Sequence, residues 1–286
     1  MRDLDTAAED GNLSSVRAAL VGLATILVRS GIELSRLTQY REVLVISPQP
    51  VPIDVLPVSD EPLGRRVIFE HLIAANADDL RSELPNYLRD DRESLKRAAV
   101  LAIVPMPSGI PRQDQDIIKA ASKLNAMVPV DIVLQPSARQ SIEYFSRTDI
   151  GILHLDTHGS PMAVQLGTNE ERFFRVSDFP SRIRPPLVLL VGCSTGAGAE
   201  SLAPGLVRLG AKAVIGMAFV FRSGDPSGGD IKNPLFYDTL WSGIVAGKPI
   251  GEALLRAKQA MPNNEWSAMW LLFGNANLSF KIKQKS

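Results

Sequence analysis

Leu187-Val188-Leu189-Leu190-Val191-Gly192-Cys193-Ser194-Thr195-Gly196 carries the reading of the fold. Five consecutive aliphatic residues have no polar face, so they predict a strand buried on both sides, as in a parallel sheet covered by helices. The strand breaks at Gly192, and the small, flexible run that follows begins with Cys193, the single cysteine of the chain. A second run of the same kind, Ile150-Gly151-Ile152-Leu153-His154-Leu155, ends in Asp156-Thr157-His158-Gly159. Parallel strands end at one edge, and chemistry in such sheets gathers beyond the carboxyl ends of the strands. The two runs therefore predict that the thiol of Cys193 and the imidazole of His158 meet at one sheet edge.

Around these strands the pattern alternates. Apolar residues at helical spacing predict one helix, or two broken near Gly31, over 14–40, with Ser14 or Ser15 as N-cap. Val43–Ile46 reads as a strand, and a proline-bearing loop follows to about Glu61. Residues 64–88 read as helical with a break near Asn76, which puts His71 inside a helix in a structural or exposed role. Strands are predicted at Ala98–Val104, Val130–Leu134 and Ala213–Phe221, with a last one near Ala268–Phe273. Helices are predicted at 112–125, 137–146, 198–209, 233–245 and 249–261. Ala163–Leu166 and Arg172–Val176 make a hairpin excursion between the two decisive strands. Aliphatic strands alternating with amphipathic helices predict an α/β fold with helices on both faces of a mostly parallel sheet. No repeat or low-complexity linker interrupts it, so residues 41–286 read as one domain behind an N-terminal helical segment, 1–40.

Composition narrows the function. The 286 residues are 45% hydrophobic, enough for a sizeable core. Basic and acidic residues balance at 31 each, with no basic stripe interleaved with aromatics, so neither a nucleic-acid nor an anionic-membrane surface is expected. A lone cysteine forms no internal disulfide, which fits a reducing cytosol and a cytoplasmic protein. The apolar stretch Ala18–Val28 is too short to span a bilayer, and the acidic residues before it do not suit a signal peptide. The charge run Arg89-Asp90-Asp91-Arg92-Glu93 reads as a solvated turn or helix start.

A cysteine attacks as its thiolate, and a neighbouring histidine can take its proton and later deliver it to a leaving amine. The backbone N–H groups of Gly159 and Cys193 are candidates for the oxyanion hole. Other readings stand beside this one. Cys193 can be an inert buried thiol, since free cysteine is among the most buried residue types. Gly192-Cys193-Ser194-Thr195-Gly196 also spells G-x-S-x-G, with Ser194 as nucleophile, but His71, His154 and His158 all precede it, against the chain order of that elbow. His154, Asp156 and His158 alternate along one side, yet a step of about 7 Å is too long for adjacent tetrahedral metal ligands, so no metal is expected. Gly196-Ala197-Gly198 with Ser201 in the third position is a poor dinucleotide fingerprint, and no cofactor is expected.

At these residues the chain resembles the CHAT proteases, a caspase-like, separase-related group of clan CD cysteine peptidases. The resemblance runs in order through Ile152–Gly159, Pro186–Gly196, Leu202–Ile215, Phe236-Tyr237 with Gly247–Leu254, and Trp270–Gly274. It implies a caspase/hemoglobinase-like three-layer sandwich and a His158–Cys193 dyad that cleaves a protein or peptide after a selected P1 residue. Family members often carry an acidic pair after the strand equivalent to Ala213–Met217, where this chain has Phe219-Val220-Phe221-Arg222. With Val191, those three apolar residues would line an S1 pocket that favours an apolar P1, because burying an unpaired lysine or arginine is costly. Asp156 is the residue that would serve a basic P1 instead. The resemblance further implies bacterial immunity, with a substrate such as a gasdermin-like pore former and an activating sensor or partner. Residues 1–40 are too few for such a sensor. The alternatives are a catalytically silent, protease-like interaction module regulated by a partner, and a serine hydrolase built on Ser194.

Overall fold

The computed structural model describes residues 13–48, 51–59, 61–88, 92–95, 99–103, 118–119, 121–122, 125, 128–160, 162–167, 173–192, 195–196, 201–218, 234–261 and 269–282. In chain order its strands are β1 (Glu42–Ser47), β2 (Pro57–Val58), β3 (Glu61–Pro62), β4 (Ile68–Ile73), β5 (Arg92–Leu95), β6 (Ala99–Ile103), β7 (Val130–Leu134), β8 (Ile152–Asp156), β9 (Ala163–Gln165), β10 (Phe173–Arg175), β11 (Leu187–Val191), β12 (Ala213–Met217), β13 (Trp270–Gly274) and β14 (Ser279–Ile282). The helices are α1 (Leu13–Arg29), α2 (Leu34–Leu37), α3 (Ala77–Tyr87), α4 (Ala138–Ser146), α5 (Leu202–Arg208), α6 (Pro234–Val245) and α7 (Ile250–Ala260).

Eight strands make the central sheet, in the order β1-β4-β13-β12-β11-β8-β6-β7. Every neighbouring pair is parallel except β12 with β13. The aliphatic runs do what their composition dictates, and Leu187–Val191 and Ile152–Asp156 are buried along their whole length. Helices cover both faces. Register places His154 beside Leu189 and Leu189 beside Ile215, so these side chains share a face. On it α6 lies over the sheet, and Tyr237 and Trp241 stack on the His154 ring with centroids at 5.5 and 5.9 Å. The next residue of β12, Gly216, faces the other way. There α5 comes so close that a Cβ on Gly216 would lie 3.0 Å from the Ala203 Cβ. The result is the expected three-layer α/β sandwich.

Caps set the helix starts. Asn76 accepts N–H bonds from Asp78 and Asp79, both at 2.9 Å, and Ser137 accepts from Gln140 at 3.2 Å. In α1, Leu20 is buried, and Leu23, Ala24 and Leu27 pack against the core, while Val21, Ile26 and Val28 on the opposite side are exposed. The N-terminal helix is thus seated on the domain. No helix among the described residues is long and apolar enough to cross a membrane.

Two expectations are corrected. Arg92-Glu93, expected in a solvated turn or helix start, open strand β5, which pairs with β14. Residues 64–88 do not form a broken helix. A single 3-10 turn, Leu63–Arg65, leads into β4, and only 77–87 is helical. His71 is therefore a strand residue, wholly buried, with Nε2 2.7 Å from Asp54 Oδ2. The Lys258 ammonium of α7 donates to the other oxygen of Asp54 at 3.0 Å. Beside it, buried Glu70 accepts the Ala276 N–H at 3.2 Å. Polar side chains inside a strand are tolerated because distant segments supply their partners. The helix expected at 112–125 lies mostly outside the described residues.

Candidate active site

β8 and β11 are parallel neighbours in register from Ile152–Leu187 to Asp156–Val191, so they end level with each other. The sheet winds outward from β6 to β7 and returns across β6 to β8, which makes the carboxyl edge around β6, β8 and β11 the crevice expected to hold a ligand. The Thr157 N–H extends the ladder, donating to Val191 O at 2.9 Å. Half-buried His158 follows.

Beyond Thr157 the chain pairs with the β9–β10 hairpin. The Gln165 N–H donates to His158 O and the Ser160 N–H to Ala163 O, both at 2.8 Å, while the Thr157 hydroxyl donates to Gln165 O. These bonds flank Gly159, which faces Val164 as a wide antiparallel pair. In such a pair the N–H and C=O of each residue point away from the partner strand. The Gly159 N–H is thus directed away from β9 and meets no acceptor among the described residues.

The end of β11 comes up against it. A Cβ on Gly192 would lie 3.4 Å from the Gly159 Cα, 3.3 Å from Thr157 O and 3.1 Å from Thr195 Cγ2. The absence of a side chain at 192 is what lets the two strand ends touch. The chain then returns at once, with the Thr195 N–H 3.4 Å from Gly192 O. Thr195 itself is wholly buried. The two residues between, Cys193 and Ser194, lie outside the described residues.

Of the residues expected to form the site, His158, Gly159, Asp156 and Val191 are gathered at this edge. Asp156 and Val191 are the last residues of their strands, adjacent in register and almost wholly buried. Phe219, Val220 and Phe221, assigned to the S1 pocket with them, lie outside the described residues. His154 lies beneath the edge, its ring held between aromatic neighbours from α6. The sequence pattern alone does not single out Thr157 or Thr195. Both hydroxyls act on backbone groups of neighbouring segments, and the only trace in the sequence is a threonine close to each strand end.

Neither a family model nor a curated protein matches the chain. Solved structures do. The Arg-specific cysteine proteinase gingipain R aligns with a TM-score of 0.60 at 14% identity, over 88% of this chain and 68% of that one. The complex of the pro- and mature domains of Porphyromonas gingivalis RgpB aligns with a TM-score of 0.61 at 14% identity, over 88% and 69%. The Saccharomyces cerevisiae separase–securin complex gives 0.52 at 14% identity, over 77% of this chain and 14% of that one. At these identities the likeness is one of fold: a mostly parallel sheet with helices, shared with these proteins.

Proposed function

We propose that the chain is a cysteine endopeptidase of the caspase-like CHAT type, with Cys193 as nucleophile and His158 as general base and then acid. One observation carries this reading. Gly192, bonded to Cys193, packs against Gly159, bonded to His158, at the ends of two parallel strands. A peptide step spans about 3.8 Å between Cα atoms, so the nucleophile and base positions lie within side-chain reach of each other. The shared fold of gingipain R and separase supports the same chemistry.

In the proposed reaction His158 takes the Cys193 proton, and the thiolate sulfur attacks the scissile carbonyl carbon. The N–H groups of Gly159 and Cys193 hold the resulting oxyanion. The outward direction of the Gly159 N–H suits that task. As the C–N bond breaks, the His158 proton passes to the leaving amine. Water, deprotonated by His158, then attacks the thioester and releases the acid and the free thiol.

For the S1 pocket the reading is Val191 with Phe219, Val220 and Phe221, which favours an apolar P1, and Asp156 at its margin. The CHAT resemblance supports a role in bacterial immunity, acting in the cytoplasm on a protein substrate of gasdermin-like type, under control of a sensor or partner. Two of the similar structures hold a protein partner, a pro-domain and a securin.

Digestion of a proteome-derived peptide library by the wild type and by Cys193→Ala tests the proposal. The expected result is a set of cleavages sharing an apolar P1 that vanish in the variant, while Ser194→Ala retains them. No cleavage by the wild type with its partner supplied would favour a silent interaction module. Cleavage that survives Cys193→Ala and fails in Ser194→Ala would make the chain a serine hydrolase.

A further inference from the structure

We infer that Thr195 is a positioning residue whose buried hydroxyl sets the turn carrying Cys193 against His158. The inference deepens the protease reading and rests on it. β11 and β12 are in register only from Leu187–Ala213 to Leu189–Ile215. Past that point their ladder stops, and the turn after β11 folds back so that Thr195 occupies the gap. Its Oγ1 accepts the Met217 N–H at 3.2 Å and lies 3.1 Å from both Leu190 O and Gly192 O. A hydroxyl has one proton to give and two lone pairs to receive, so this group replaces the missing rungs between the two strand ends.

The backbone of the same segment is tied at both sides. The Gly196 N–H donates to Met217 O at 2.8 Å, and Thr195 O accepts the Ala203 N–H from the first turn of α5 at 3.0 Å. The Thr195 methyl, in turn, is what a Cβ on Gly192 would strike first. Thr195 therefore fixes the far end of a turn whose near end, Gly192, rests on Thr157 and Gly159. Only residues 193 and 194 lie between those two anchors. Both anchors thus lie within two residues of Cys193 in sequence, and the Thr195 hydroxyl is the group that ties one of them to both strand ends.

Thr195→Val keeps the shape and removes the hydroxyl, while Thr195→Ser keeps the hydroxyl and removes the methyl. Each is compared with wild type for kcat, KM and the pH profile of Cys193 alkylation, with thermal unfolding followed alongside. The expected result is a loss of about 10- to 100-fold in kcat for Thr195→Val, since misplacement of the order of 1 Å costs that much, with KM changed less than threefold. Its alkylation inflection moves toward that of an ordinary thiol, and Thr195→Ser stays close to wild type in every readout. Wild-type kcat and alkylation in folded Thr195→Val overturns the inference, as does equal damage from Thr195→Ser, which would make the methyl's packing the cause. If Thr195→Val does not fold, Thr195→Ala, which adds no bulk, takes its place with the same expectations. Failure of the protease reading appears separately, as wild-type protein that cleaves nothing or Cys193→Ala that still cleaves, and the alkylation profiles still decide the role of Thr195.

Discussion

Gly192 and Gly159 touch across the ends of β11 and β8, so closely that a Cβ on Gly192 would stand 3.4 Å from the Gly159 Cα. The same atom would press Thr157 O at 3.3 Å and Thr195 Cγ2 at 3.1 Å, two backbone-tied neighbours with little room to yield. Gly192→Ala is therefore expected to push the strand ends apart by a few tenths of an ångström. We predict a fall of about tenfold in kcat at nearly constant KM, because reacting groups tolerate little displacement. Thermal unfolding should register about 1–3 kcal/mol of destabilisation from overpacking. Steady-state kinetics of the purified variant checks the first, and a melting curve the second.

Asp54, His71 and Lys258 form a wholly enclosed polar cluster that ties the turn before β2 to β4 and α7. Burial alone would raise the Asp54 carboxyl, but the charges and hydrogen bonds of Lys258 and His71 outweigh it and hold the group below its ordinary value of 3.8. Removing the ammonium by Lys258→Met strands a buried carboxylate and should cost about 3–5 kcal/mol at pH 7. Because the folded-state value is depressed, this stabilisation is complete above 3.8 and is lost as pH falls through the folded value. Urea unfolding midpoints should differ widely between wild type and Lys258→Met at pH 7, and the gap should narrow in strong acid.

Glu70 titrates in the opposite direction. Burial, with the hydrogen bond and charge of nearby Glu42, pushes its carboxyl up to about 9 from 4.5, so the folded protein holds a proton that the unfolded chain has released. The Glu70 contribution to stability is then fully present below 4.5 and declines as pH rises toward 9. Glu70→Gln keeps the shape without the charge and should flatten this decline. Melting temperatures at pH 5 and pH 9 should differ less in the variant than in wild type, and at pH 9 the variant should be the more stable.

Asp156 and Val191 close neighbouring strands in register at the candidate site. If Val191 and the apolar residues that follow β12 select P1, Asp156→Asn should leave cleavage after apolar residues within about threefold of wild type, since no charge of the substrate would be lost from a partner. Cleavage-site profiling of the variant checks this. A selective loss of cuts after lysine or arginine would instead assign Asp156 to a basic P1.

The site was legible where the chain spoke locally. Five aliphatic residues ending at Gly192, and a matching run ending at His158, announce two buried parallel strands and place their ends at one edge. β4 reads as a helix in sequence because Glu70-His71 interrupts its apolar pattern, and two buried polar residues look like the outer face of a helix. What makes them acceptable in a strand is the Asp54 carboxylate and the Ala276 N–H, and no local pattern reveals partners so far away in the chain. Thr195 was hidden for a similar reason. A threonine between Ser194 and Gly196 reads as a small turn residue, and only the divergence of β11 from β12 turns it into a buried tie.

The pH dependence of Cys193 alkylation, compared between wild type and His158→Ala, tests the dyad most directly. The chain has one cysteine, so the uptake of iodoacetamide reports that residue alone. A thiol paired with the imidazole should react with an inflection well below the ordinary value of about 8.5, and His158→Ala should return it to that value. Matching inflections near 8.5 in the two proteins would contradict the pairing of Cys193 with His158.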